Sequence, residues 1–345
     1  MPDPIITLKA AGLSLTSFDA LTVQRDLDAF ADSFSFTMPS RDDIRAKIKP
    51  RGYETAEVWF GSSKVITGRI EKPSGNLTQS SLNLEGRSAT AVMLDCSMPS
   101  APGYTVSRHQ WGGLTLGKIA KVLADPFGVL VSLPNGDSVA LPDPTVSGDM
   151  DKPGDFLQGL AHDLGWVFNA DAEGQLELLR PNPKGNPMAN LVEGLGGLLD
   201  VDVSVDGTQF FSEFKVIWTA GGFNSQVGSS IDPGVKQYRP TSRIFGSGTL
   251  KEVNTAAKWD RATSYANAVS ISAEVGDWQS DAGEFWEPGR IVTLYSPKVW
   301  INKPTPLMIA GVTYRLSAGE GRKATLRLVM PSTYSGEPPE AWPWD

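Results

Sequence analysis

The chain reads as mainly β with α+β character: two small β-barrel modules plus a central α/β domain. Three observations lead there. Glycine (35) and proline (25) are plentiful among 345 residues, which favours many short strands joined by turns over long helices. The two ends of the chain echo each other: Glu57–Gly61 (EVWFG), 65–70 (VITGRI) and 81–87 (SLNLEGR) are answered by 290–295 (RIVTLY), 308–314 (MIAGVTY) and 324–329 (ATLRLV). Each set carries an Ile-x-Gly step, at Gly68 and Gly311, with Leu82 following the first glycine by 14 positions and Leu326 the second by 15. Two unrelated β-meanders would also give so short an echo. If it is a true repeat, a trimer presents six similar modules and can join a threefold object to a sixfold one. Third, charge is unevenly spread. Residues 1–100 hold 12 acidic and 11 basic side chains, residues 201–345 hold 15 and 14, and residues 101–200 hold 12 against 6, which marks the middle as a separate unit.

The division that follows is residues 1–98 for a first tube-like barrel, 99–187 for the central α/β domain, and 188–345 for a second barrel with a helical insertion at 225–270 and a Pro/Trp-rich tail. Within the first module, residues 5–8, 21–25 and 33–38 alternate in the period-two manner of strands, with a bend at 26–32 and a charged connector at 41–51. Residues 88–98 suit a turn-rich helix as well as a strand. Leu116, Ile119, Ala120 and Leu123 share one helical face behind a Thr115 N-cap, and a second helix spans 155–164 with Gly165 as its C-cap. Strands are expected at 129–133, 166–168 and 175–180, and 181–187 (PNPKGNP) is a linker. Strands follow at 198–205 and 213–219. The polar, glycine-rich stretch 225–248 reads as a long exposed loop, 254–269 as a helix, and the tail 337–345 as irregular.

Composition excludes several function classes. Hydrophobic content of 40% with 20% charged residues fits an ordered globular chain. No apolar run approaches the ~18 residues of a membrane span, and the start lacks a secretory layout, so the protein is expected to fold in a cytoplasm. One cysteine, Cys96, precludes an internal disulfide and reads as a buried structural thiol. Two histidines and that cysteine leave little for a zinc site, so no metal or cofactor is expected. The net charge of −8 opposes tight nucleic-acid binding.

No catalytic constellation stands out. His109 lies in a polar loop and His162 on a helix, neither in a hydrolase motif. Carboxylates could be paired from Asp149, Asp151 and Asp155, or from Glu284 and Glu287 among Trp278, Phe285 and Trp286, as in sugar-cleaving sites, but acidic β-loops give such groupings routinely. Gly194–Leu199 lacks the strand–glycine–helix context of a nucleotide site. Of ten tryptophans, Trp59, Trp218 and Trp286 are expected in barrel cores, while Trp342 and Trp344 sit in a tail with no core of its own and are expected to dock on a neighbouring chain.

The motifs 84–88 (LEGRS) and 94–97 (LDCS) resemble a pattern of Mu-like contractile-tail proteins, the phage baseplate hub family. The likeness extends to Ile6–Leu8 and 32–36 (DSFSF), then to 256–259 (AAKW), 283–290 (GEFWEPGR) and 326–334 (LRLVMPSTY), in order over nearly the whole chain. It implies a homotrimer whose two β-barrels per subunit form a pseudo-sixfold ring with lateral α/β domains, in the virion tail baseplate and assembled in the host cytoplasm, with the tail tube protein on one side, the central spike protein on the other and other baseplate proteins around it. It also implies a channel through which DNA passes without tight binding. It carries no catalytic residue across. Gly86, Arg87, Asp95 and Trp286 match the family's motifs as structural or interface residues; Arg87 pairing with a carboxylate such as Asp95 and Arg87 at a subunit contact are both open. A tailocin or prophage-derived injection particle fits the same motifs, and a cell-wall hydrolase or carbohydrate-binding β-protein is the reading from another class.

Overall fold

Period-two patterning decides the N-terminal third. In a computed structural model describing residues 6–98, 110–138, 140–141, 145, 147–148, 150–219, 225–245, 250–334 and 342–344, it becomes seven strands. These are β1 (Ile6–Ala10), β2 (Leu13–Leu15), β3 (Ala20–Asp26), β4 (Ser33–Pro39), β5 (Thr55–Phe60), β6 (Ser63–Asn76) and β7 (Ser81–Ser88). Phe34, Phe36 and Met38 of β4 are buried while the serines and threonine between them are not. The connector 41–51 differs from expectation in holding a short helix, α1 (Asp42–Lys47), with Asp42 and Asp43 at its start and Arg45 and Lys47 at its end, as the helix dipole favours. Residues 88–98 are a tight 3-10 turn followed by one helical turn, α2 (Val92–Asp95).

The middle contains α3 (Leu116–Ala124), β8 (Val131–Ser132), α4 (Pro153–Leu164), β9 (Val167–Ala170) and β10 (Leu176–Leu179). Thr115 caps α3 by accepting from the Lys118 N–H, and α4 ends on Gly165 in the left-handed conformation. The strands pair in the order β8-β10-β9 under the two helices, around Trp111, Leu116, Leu157, Phe168, Leu176 and Leu178.

Then come β11 (Pro187–Val192), β12 (Leu198–Val205), β13 (Glu213–Thr219), β14 (Ser225–Ile231), β15 (Pro240–Ile244), α5 (Leu250–Ala268), β16 (Val269–Val275), β17 (Ile291–Ser296), β18 (Ile301–Ser317) and β19 (Gly321–Val329). The expected long loop at 225–248 is a correction: β14 and β15 flank β13 in a three-stranded sheet that packs on α5. Small and polar residues hid the strand because the helix leaves no room for larger ones. A Cβ on Gly228 would collide with the Val253 main chain of α5, and Ser230 is buried beside it.

The remaining strands form one 13-stranded sheet, ordered β12-β16-β19-β18-β3-β4-β7-β6-β5-β1-β2, with β17 on the first half of β18 and β11 beyond it. The expectation of two separate barrels is corrected here: the pairings among the described residues close neither module into a ring. The reason is the length of β18. Its residues 301–308 pair with β17, and its residues 311–317 cross over to β3, so the two modules share a sheet and one apolar core. Among the described residues no helix is long and apolar enough to cross a membrane, and no group of His, Cys, Asp and Glu is placed to hold a metal ion.

Candidate functional site

Each of the two echoing hairpins holds an arginine clamp beside a bulge. In β7, the Arg87 guanidinium donates to Glu71 at 2.6 and 3.0 Å and to Asp95 at 3.3 and 2.5 Å. Glu71 is the extra residue of a bulge in β6, where the register with β7 slips between Ile70 and Lys72. Gly68 and Gly86 let the strands approach, because a Cβ on either would collide with the carbonyl oxygen of Arg87 or Arg69. The hydrogen bonds that Arg87 donates to Glu71 and Asp95 raise its pKa above the ordinary arginine value.

The second hairpin also sets an arginine beside a bulge, but in a different register. β18 bulges between Ile309 and Gly311, and Gly311 faces Arg327 of β19. Arg327 donates to the bulge residue's carbonyl, Ala310, at 3.2 Å, to Asp26 at 3.1 Å and to Asp28 at 2.7 Å. A Cβ at Gly311 would collide with the Asp26 carboxylate, so the glycine of the Ile-x-Gly step makes room for the ion pair. Burial opposes the charge on Arg327, but Asp28 and Asp26 outweigh it and its pKa lies above the ordinary value. Tyr334 donates to Asp28 at 2.9 Å; burial, then that carboxylate, push its pKa up. Sequence reasoning found Arg87 and Asp95 but missed Arg327, Asp26, Asp28 and Tyr334. The registers differ between the hairpins, since Gly68 faces Ser88 whereas Gly311 faces Arg327, so the echo does not point to the second arginine.

Aromatic residues weld the modules. Phe60 of β5 stacks on Trp278 with centroids 4.7 Å apart and meets Tyr314 edge-on at 5.1 Å. Trp278 donates to the Arg315 and Lys323 carbonyls, Trp286 to that of Asp277, and the Tyr314 hydroxyl to the Trp286 carbonyl. Trp286 is therefore a buried structural residue. Trp59 and Trp218, expected in cores, are only half-buried; Lys9 lies 4.0 Å from the Trp59 ring.

Glu284 and Glu287 are exposed beside a cavity of about 210 Å³ that Arg25, Lys64 and Tyr314 also line, and Glu284 pairs with Arg290 at 2.8 Å. The indoles a sugar-binding site would display, Trp278 and Trp286, face the core instead. Asp151 accepts from the Gly148 N–H at 2.6 Å, and Asp155 sits in the first turn of α4. His162 stands 3.9 Å from Asp163, whose carboxylate is 2.8 Å from Arg243. Gly194–Gly197 leads into strand β12, not into a helix. Cys96 is half-buried and free. His109 and Asp149 lie outside the described residues.

The tail differs from expectation in finding a surface on its own chain. Trp342 and Trp344 stack at 4.9 Å, and Trp342 meets Tyr265 and Phe210 edge-on at 5.1 and 5.8 Å. Asn302 donates from its main chain to the Pro343 carbonyl at 3.1 Å and from its side chain to that of Trp344 at 3.4 Å. Both rings remain half-buried.

Residues 249–337 match the family described as Mu phage baseplate assembly protein GpP, fourth domain. No curated protein matches the sequence at a significant level. Among solved structures, the 43 kDa tail protein of prophage MuSo2 from Shewanella oneidensis is 22% identical with a TM-score of 0.78, over 95% of this chain and 98% of that one. A tail protein from Neisseria meningitidis is 21% identical with a TM-score of 0.81, over 96% and 99%. An Escherichia coli component of the type VI secretion system, described as structurally similar to T4 bacteriophage tail proteins gp27 and gp5, is 11% identical with a TM-score of 0.56, over 93% and 76%. The likeness to Mu-like baseplate proteins read from the motifs thus holds: residues 249–337 match the model of the GpP fourth domain, and the chain as a whole shares its fold with the MuSo2 prophage tail protein and the Neisseria tail protein.

Proposed function

We propose that the protein is the structural hub of a contractile-tail baseplate, a virion component that joins the sixfold tail tube to the threefold central spike and lines the channel for DNA. The observation that carries this reading is a fold shared, over nearly all of both chains, with the tail protein of prophage MuSo2 and a tail protein from Neisseria meningitidis. The paired clamps support it: three copies with two such hairpins each supply six similar edges. In this reading residues 1–98 and 188–345 form the ring, 99–187 project from it, and the half-exposed faces of Trp342 and Trp344 touch the next copy. The protein acts without catalysis or cofactor, and its partners are two further copies, the tube protein, the spike protein and other baseplate proteins. A tailocin or other injection particle would use the same part. Glu284 and Glu287 favour no hydrolase, because the rings beside them are turned into the core.

The test is mass in solution and in purified particles. Three copies on the tail axis are expected, with few Lys or Arg on the channel wall, since a conduit that bound its cargo would hold it. A monomer that cleaves peptidoglycan in a Glu284- and Glu287-dependent manner would overturn the reading.

A further inference from the structure

Two cavities and three orphaned polar atoms lie along one seam, between the α/β unit (α3, α4, β8–β10) and the elements that flank it. One cavity, of about 310 Å³, lies between Gln158 and His162 on α4 and Trp259 and Asn267 on α5, with Tyr334 at its side. The other, of about 400 Å³, lies between Asn169, Glu177 and Arg180 of the unit and Arg25, Glu287 and Arg290 of the flanking elements. The Trp259 indole N–H and the Thr333 hydroxyl, on residues bordering the first, and the Asn169 side-chain oxygen, on a residue bordering the second, are buried without a hydrogen-bond partner. Close-packed interiors tolerate neither voids nor unpaired polar atoms readily, and this boundary holds some of each.

What crosses the seam is thin. Val167 and Leu179 are the unit's contributions to a small apolar strip with Leu27, Trp259, Ile291 and Tyr334. Two ion pairs span it at separate points. Lys64 holds Glu173 at 2.6 Å, next to a Thr67 hydroxyl donating to the Ala172 carbonyl at 2.8 Å. Arg243 holds Asp163 of α4 at 2.8 Å while also binding Asp260 of α5 at 2.7 Å. Two fully buried side chains reach into the unit's core from outside it, Met93 of α2 and Phe30. Phe30, 1% exposed, reaches from the β3–β4 connection into the unit's core, 5.8 Å from Phe168, and its carbonyl accepts from Thr90 at 2.6 Å.

We propose that the α/β unit is a rocking arm that swings about Phe30 between this arrangement and a second one, with Lys64–Glu173 and Arg243–Asp163 as the latches of the first. Each body keeps its own core during the swing, the seam cavities change volume, and the orphaned atoms gain water or protein partners. Poorly packed seams bridged by a few ion pairs are where packed bodies move relative to one another.

The test is a distance distribution by double electron–electron resonance on the full chain, with Cys96→Ser and labelled protein diluted in unlabelled protein. Labels at Lys121→Cys on α3 and Arg315→Cys on β18 report across the seam; Thr55→Cys with Arg315→Cys reports within the sheet. The cross-seam pair is expected to show two populations of distances. Asp163→Asn with Glu173→Gln should move weight to the second while the control pair stays unchanged, which also shows that the variant folds. A single cross-seam distance as narrow as the control, unmoved by loss of the latches, overturns the proposal.

Discussion

Arg327 donates to Asp28 at 2.7 Å across 299 positions of sequence, and Asp28 spends its other oxygen on Tyr334. The last strand is thereby tied to the connection after β3. Arg327→Ala leaves Asp26, whose side chain is 15% exposed, without its guanidinium. The expected loss is about 1–3 kcal/mol, read as a lower urea midpoint at unchanged slope. Arg327→Lys should recover only part of it, because an ammonium cannot reach two carboxylates and a carbonyl as a planar fork does. Both effects should shrink in high salt, since Arg327 and Asp28 are half-exposed.

Asp32 predicts an unusual pH dependence. Its carboxylate is buried against Arg25 at 3.3 Å, and burial outweighs that partner, raising its pKa from 3.8 to about 6. A carboxyl whose folded-state pKa is raised binds its proton more tightly folded than unfolded. Its contribution, about 3 kcal/mol, is fully present below pH 4 and is lost as pH rises through 6. Glu177, raised chiefly by burial, acts in the same direction. Urea midpoints at pH 5 and pH 7 should therefore differ less in Asp32→Asn than in the parent. An equal difference in both proteins would show that Asp32 does not carry the effect.

Gly228 tests the contact that hid β14. Adding a methyl there forces it into the Val253 backbone of α5, which cannot retreat without unseating Ala256 and Ala257 from the same cluster. Gly228→Ala is expected to cost about 1–3 kcal/mol. Gly207→Ala, where nothing lies within 4 Å of the new Cβ, is the matched control and should be near neutral by thermal melting.

These residues also mark what was legible beforehand. β4 and β7 were readable because one face of each is buried and alternation survives in the sequence. Helices α3 and α4 were readable from their spacing and their ends, Thr115 and Gly165. β14 was not, because close helix packing selected glycine and serine, which carry no period. The joining of the modules was not, because β18 changes partner midway, and a strand's neighbours are not written in its own pattern. Arg87 was visible through a family motif, whereas Arg327 needed the register of two bulged hairpins before its place opposite Gly311 made sense.

The tail separates folding from assembly. Trp342 contacts Phe210, Tyr265 and Trp344, whereas Trp344 has ring contact with Trp342. Trp342→Ala should thus cost more stability than Trp344→Ala, roughly 2 kcal/mol against 1 for half-buried rings. If the outer faces of the pair also touch the next copy, deleting residues 338–345 should lower the trimer fraction, measured by mass at fixed concentration, by more than Arg327→Ala does at matched loss of stability. Equal losses would mean that the tail serves its own chain alone. An intact trimer after the deletion would remove the tail from the subunit contact while leaving the hub reading in place.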